Sequence, residues 1–97
     1  MKVLKIKKVE DCLESTNVRD ILMDTELTKE FIDYLGQLGK LIYYENFKKP
    51  FFKVIVRGEY TIKGAQGNKE FRVLMPERAD ESIIERIKTH IGNFIEM

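Results

Sequence analysis

The middle of the chain constrains the fold most, because β-branched and aromatic residues dominate three segments that turn-forming residues separate. The segments are 41–47, 51–63 and 69–75. Side chains two positions apart share one face of a strand, and the apolar alternation continues through Arg57-Gly58. The pattern therefore predicts one long strand over 51–63 with a bend or bulge at Gly58, in preference to a two-residue hairpin there. Such a hairpin would oppose Val56 with Glu59, an apolar side chain with a charged one.

The same reasoning predicts how the three strands pair in an antiparallel meander. Ile62 is expected opposite Phe71 and Phe47 opposite Phe51. The second register also sets an acidic residue against a basic one across the strands, which favours it.

The flanking segments predict one further strand and two main helices. Residues 2–9 alternate between apolar and basic side chains, as in a half-buried strand. Residues 26–38 and 80–95 carry apolar residues at three- and four-residue spacing and predict amphipathic helices. Between them, Asn17 could cap a short helix over Val18–Leu22, and the same residues also allow a strand.

Helix ends are also visible in the sequence. Asp24, Thr25 or Thr28 can cap the first main helix and Asp80 the second, because their side-chain oxygens accept hydrogen bonds from N–H groups of the first turn. Gly39 suits the left-handed conformation in which many helices end.

These elements predict a single α+β domain spanning residues 1–97. The expected architecture is a two-layer sandwich, an antiparallel meander of three to four strands with two main helices on one face. A length of 97 residues fits one domain, and no stretch has the composition of a linker.

Charge and composition limit which classes of partner and which cellular location we expect. With 17 basic and 16 acidic side chains the formal net charge is +1, so nucleic-acid partners are not expected, or only with affinities weaker than about 10 µM. Lysines interrupt the apolar residues at the start of the chain, which excludes a secretory signal there, and no apolar run approaches the length that spans a membrane. A single cysteine, Cys12, cannot close an internal disulfide. A cytoplasmic protein is the prediction.

Candidate catalytic residues are few. Cys12 and His90 are the only cysteine and histidine, and nothing in the sequence brings them together as nucleophile and base. The carboxylate pairs Asp20/Asp24 and Glu81/Glu85 have helical spacing, a pattern that usually means solvated charge. We therefore predict no catalytic residue, no cofactor and no metal.

The feature that suggests a function is the sheet face turned away from the helices. If the predicted registers hold, aromatic and aliphatic side chains lie there among basic ones, and uncovered apolar patches commonly mark an interface. The predicted interface residues are Tyr43, Phe47, Phe51, Lys53, Ile55 and Arg57. Cover by the N-terminal segment of the chain itself is left open.

The leading functional hypothesis is thus a small cytoplasmic protein-interaction or homodimerisation domain without a catalytic site. Its partner would be another protein or a second copy of the chain. The first alternative is a small-ligand-binding protein or minor enzyme whose pocket the sequence does not place. The second is a module that binds single-stranded nucleic acid on the sheet.

Overall fold

Six antiparallel strands form one sheet in the computed structural model, which describes residues 1–10 and 17–94. The order across the sheet is β1-β2-β6-β5-β4-β3. Two α-helices and a short 3-10 turn complete this part of the chain. Along the chain the elements are β1 (Val3–Val9), β2 (Asn17–Met23), α1 (Lys29–Leu35), the 3-10 turn (Gly36–Leu38), β3 (Lys40–Tyr44), β4 (Phe51–Val56), β5 (Tyr60–Ala65), β6 (Glu70–Met75) and α2 (Ser82–Gly92).

The predicted fold class, a two-layer α+β sandwich on three to four strands, is wrong because the sheet has six. Two strands were missed. The segment 51–63 folds as two strands, β4 and β5, and the segment that could have been a short helix is β2. The first predicted strand is confirmed as β1.

A three-residue connection at Arg57, Gly58 and Glu59 separates β4 from β5. It preserves the apolar alternation from which an unbroken strand was predicted, because Val56 opposes Tyr60 and apolar residues therefore face one another. The Glu59 N–H donates to the Val56 carbonyl at 3.0 Å, closing a β-turn, and Gly58 has φ of +78°. A two-residue loop would set apolar residues of one strand opposite polar residues of the other, whereas the three-residue loop sets apolar residues opposite apolar ones.

Replacing Gly58 by valine is expected to destabilise the protein by about 1 kcal/mol or more, because a β-branched residue is strained at positive φ. Nothing lies within 4 Å of the position where its Cβ would be, so the effect is purely conformational. Gly58→Asn is the matched control, since asparagine tolerates this conformation better. Urea unfolding followed by circular dichroism measures both variants. Equal stabilities for the two would contradict the turn conformation.

The sequence of β2 allowed a helix as well as a strand, because apolar residues lie on both faces of the strand and their spacing therefore fits both periods. Ile21 and Met23 lie on the helix side of the sheet and are fully buried, while Val18 is fully buried on the other side. Asn17 caps no helix. Its side-chain amide donates to the carbonyls of Pro76 and Ala79, at 3.1 and 3.2 Å, and so ties β2 to the loop that follows β6.

Two predicted registers are also wrong. In the β5–β6 pair Ile62 opposes Val73, a shift of two residues that keeps each side chain on its predicted face. In the β3–β4 pair Tyr44 opposes Phe51. That second shift is an odd number of residues, so it turns every β3 side chain to the opposite face.

Both helices pack on one face of the sheet, which holds the core. The Thr28 hydroxyl accepts a hydrogen bond from the Phe31 N–H at 3.1 Å and caps α1, one of the three predicted choices. Before α2 the Asp80 carboxylate accepts hydrogen bonds from the Ser82 hydroxyl and from the Ser82 N–H, and these bonds lower the pKa of Asp80. The core cluster includes Phe31, Ile32 and Leu35 from α1, Ile83, Ile84, Ile87 and Ile91 from α2, and Ile21, Phe52, Val54, Ile62, Phe71 and Val73 from the sheet.

Tyr34 and His90 join the two helices. Their rings stack with centroids 4.0 Å apart, and the Tyr34 hydroxyl donates to the His90 carbonyl at 2.6 Å. The Nε2 atom of His90 lies 2.9 Å from the Tyr34 carbonyl, an acceptor, so Nε2 carries a proton. His90 is therefore engaged in helix packing.

Candidate interface on the outer face of the sheet

The face of the sheet opposite the helices, here called the outer face, is organised in rows of side chains that cross the strands. One row is aromatic where it crosses β3 and β4. The next is largely basic, and the third is largely apolar. In order from β3, the rows are Tyr44, Phe51 and Ala65; Ile42, Lys53, Lys63, Arg72, Asp20 and Lys7; and Lys40, Ile55, Thr61, Leu74, Val18 and Val9.

Three aromatic rings, the aromatic patch, lie together at one end of β3 and β4. Phe51 is the central ring. Tyr44 stacks on it with centroids 4.3 Å apart and planes 19° from parallel, and Phe47 contacts it at 4.9 Å with a tilted ring. Phe47 nevertheless remains 56% exposed, and Ile55 at the other end of β4 is 36% exposed. The chain thus pre-orders an apolar surface that its described residues leave accessible.

The structure brings together four of the six predicted interface residues. Phe51, Lys53 and Ile55 alternate along β4 on the outer face, and Phe47 joins them from the loop before it. Arg57 lies in the turn after β4, exposed and at the other end of the strand from the aromatic patch.

Tyr43 lies on the helix side of the sheet, contrary to prediction, because of the odd register shift between β3 and β4. It is half-buried, its hydroxyl donates to Gln66 Oε1 at 2.6 Å, and the Lys29 ammonium lies 4.8 Å from its ring centroid. A hydrogen bond to Asp33 raises the pKa of Lys29.

Tyr44 and Ile42 take the place that was predicted for Tyr43. Sequence reasoning missed both, since it preferred the register that opposed Phe47 with Phe51. The alternative register had a visible signal: it opposes Leu41 with Val54 and Tyr43 with Phe52, so that apolar residues meet on the helix side.

The charges of the outer face come from the basic row and the carboxylates beside it. Glu59 lies in the turn between β4 and β5 and accepts a hydrogen bond from Arg86 of α2 at 2.7 Å. Two cations of the basic row lie near carboxylates. Arg72 donates to both Asp20 oxygens, at 2.8 and 3.2 Å, and Lys7 lies 3.9 Å from Glu70.

Two shallow depressions, of about 480 and 310 Å³, adjoin Ile55 and Phe51, and a larger one lies away from the outer face. A depression of about 640 Å³ lies where the loop before α1 meets Lys69 and Phe94, and its other lining residues are Asp24, Thr25, Glu26, Thr28 and Glu30. Among residues 1–10 and 17–94, no three side chains of the metal-binding types come together. Cys12, for which no catalytic role was predicted, lies outside the described residues. No helix in the described part of the chain could cross a membrane.

Comparison with known proteins adds no family. No family model, curated protein or solved structure matches this chain.

Proposed function

We propose that this protein is a cytoplasmic interaction domain that self-associates through the β3–β4 end of its outer face. The observation that carries the proposal is the aromatic patch with Ile55 beside it: ordered by ring contacts, yet accessible to solvent. Aromatic residues clustered at the centre of an interface supply much of its binding energy. A cytoplasmic location is part of the proposal and rests on the sequence, whose single cysteine cannot close an internal disulfide.

Lysines surround the patch without disrupting it. Lys53 lies beside Phe51 on β4, and Lys48 and Lys49 are exposed in the loop that carries Phe47. Such a rim keeps a monomer soluble and limits non-specific stacking of sheets. Cations that already pair with carboxylates do not add to binding of nucleic acid. An affinity for nucleic acid weaker than about 10 µM stays the prediction.

The double substitution Phe51→Glu with Ile55→Lys is expected to leave the protein folded and monomeric. Both side chains lie on the outer face, so charges there remain solvated in the monomer but would be desolvated in an interface. Light scattering and sedimentation at about 10–100 µM give the mass, a range that would detect a micromolar dimer. Circular dichroism reports folding.

Leu4→Glu is the control, because Leu4 is 63% exposed on β1, at the opposite edge of the sheet. It should leave self-association unchanged. A monomeric wild-type protein would overturn the proposal, and so would a double variant with the wild-type mass. A submicromolar complex with single-stranded RNA, in an electrophoretic shift, would assign the face to nucleic acid instead.

A further inference from the structure

We infer that two copies dock face to face, about a two-fold axis that crosses the strands between the aromatic row (Tyr44, Phe51 and Ala65) and the basic row. This inference rests on the proposed self-association, names its geometry and adds a second contact, on β6. In this geometry β4 of one copy lies antiparallel over β4 of the other, and each aromatic row lies over the basic row of the other copy.

The direction of the side chains on β4 requires a partner that lies over the face. Phe51, Lys53 and Ile55 alternate on the outer face, and side chains of a strand stand roughly perpendicular to the sheet. A partner that covers Phe51 and Ile55 together must therefore also cover Lys53 between them. The docking geometry has to give this lysine a favourable neighbour.

Like charges decide which rows can meet. Lys53, Lys63 and Arg72 are opposite one another across β4, β5 and β6, an arrangement that costs stability in a sheet. Two copies stacked with their basic rows on each other would add the same three cations above them. A shift by one row, about 7 Å along the strands, removes that opposition.

The shifted register is self-complementary on three strands, where residues two positions apart on the outer face fit one another. The pairs are Tyr44 and Ile42 on β3, Phe51 and Lys53 on β4, and Glu70 and Arg72 on β6. The two-fold axis places each member over its mate in the other copy: a ring over an aliphatic side chain, a ring over an ammonium, and a carboxylate over a guanidinium. Every contact occurs twice, as a two-fold interface requires.

The two charged residues on β6 are accessible for a contact between copies. The side chain of Glu70 is 47% exposed and that of Arg72 is 38% exposed. Within one copy Arg72 bonds to Asp20 and Glu70 lies near Lys7. A guanidinium has five N–H donors and can bind a second carboxylate beside the first.

The shape of the outer face fits the same register. Ala65 contributes to the depression of about 310 Å³ beside Phe51, and Lys63 of the second copy lies over this small residue. Ile55 lies over the loop of the second copy that carries Phe47. Twist separates stacked sheets away from the centre of contact, which limits the interface to β3–β6 and leaves β1 with its lysines outside.

Reversing the charges on β6 tests the register without altering the aromatic patch. Glu70→Lys sets two cations against each other across the axis, and Arg72→Glu sets two carboxylates there. Asp20→Asn accompanies the second change, so that no new repulsion arises with Asp20 inside the copy. We expect each variant to raise the dimer dissociation constant at least about tenfold at low salt.

Mixing the two variants should restore association. In the mixed dimer the new lysine at position 70 opposes the new glutamate at position 72, and the native Arg72 opposes the native Glu70. Sedimentation with a fluorescent label on one variant measures the mixed dimer, and circular dichroism verifies folding. Glu85→Lys is the control, since it makes the same charge change on α2, on the helix side, where Glu85 is 67% exposed. It should leave the dissociation constant unchanged.

The outcomes separate the docking geometry from the proposed function. A mixed dimer tighter than either variant alone would support the face-to-face register. A Glu70→Lys protein with wild-type affinity, or a mixture no tighter than its components, would overturn the register and leave self-association through the aromatic patch standing. A monomeric wild type would overturn both. If the Arg72 variant does not fold, Arg72→Gln replaces it, and its mixture with Glu70→Lys should still associate more tightly than Glu70→Lys alone.

Discussion

Phe52→Ala is expected to lower the free energy of unfolding by about 3–5 kcal/mol, a large part of the about 5–15 kcal/mol that holds such a domain together. Phe52 is fully buried on the helix side of β4, with Tyr43 opposite on β3 and Gly64 opposite on β5. Its truncation would leave a cavity in the middle of the core. Urea unfolding followed by circular dichroism measures the loss.

Phe51→Ala is the matched substitution one residue earlier. Phe51 lies on the outer face, half-buried between Tyr44 and Phe47, so removing its ring costs two aromatic contacts, about 1–2 kcal/mol together. The same change should abolish self-association at micromolar concentration. Neighbouring phenylalanines would thus separate folding from association. Equal losses of stability would mean that Phe51 belongs to the core, against the proposed interface.

Gly39→Ala is expected to cost about 1–3 kcal/mol or more and to displace β3 from the sheet edge. A Cβ at this position would overlap the carbonyl oxygen of Ile55 and lie 2.9 Å from Val56 Cγ2. Because the first contact is with backbone, no side-chain rotation relieves it. The predicted reason for this glycine was wrong: its φ is −169°, extended and not left-handed. Close approach of two backbones requires it.

Gly92→Ala is expected to raise the free energy of unfolding, whereas Gly39→Ala lowers it. Nothing lies within 4 Å of the position where its Cβ would be, and Gly92 is the last residue of α2, so alanine should stabilise the helix by up to about 1 kcal/mol. Thermal and urea unfolding would show both effects, and sedimentation would show whether Gly39→Ala also weakens the dimer. Wild-type stability of Gly39→Ala would contradict the tight junction between the 3-10 turn and β4.

Local sequence signals determined the elements that depend on local physics. The helical spacing of the isoleucines in α2, the hydroxyl of Thr28 before α1 and the turn-forming Gly67 with its φ of +90° are each legible from a few adjacent residues. The face of β4 that carries Phe51 and Ile55 followed from alternation alone. Its interface role remains a prediction.

Tertiary structure decided everything that depends on which strands meet. Because the turn at Gly58 has three residues and not two, the segment predicted as one strand folds as the hairpin β4–β5. β2 is a strand because its backbone pairs with β1 on one side and with β6 on the other. The odd shift between β3 and β4 replaced Tyr43 by Tyr44 on the outer face. Side-chain direction in a strand has a period of two, so a register off by an odd number reverses a face, and β3 carries apolar residues on both faces, so its own alternation does not choose between registers. Only the packing of both faces against their neighbours selects one register.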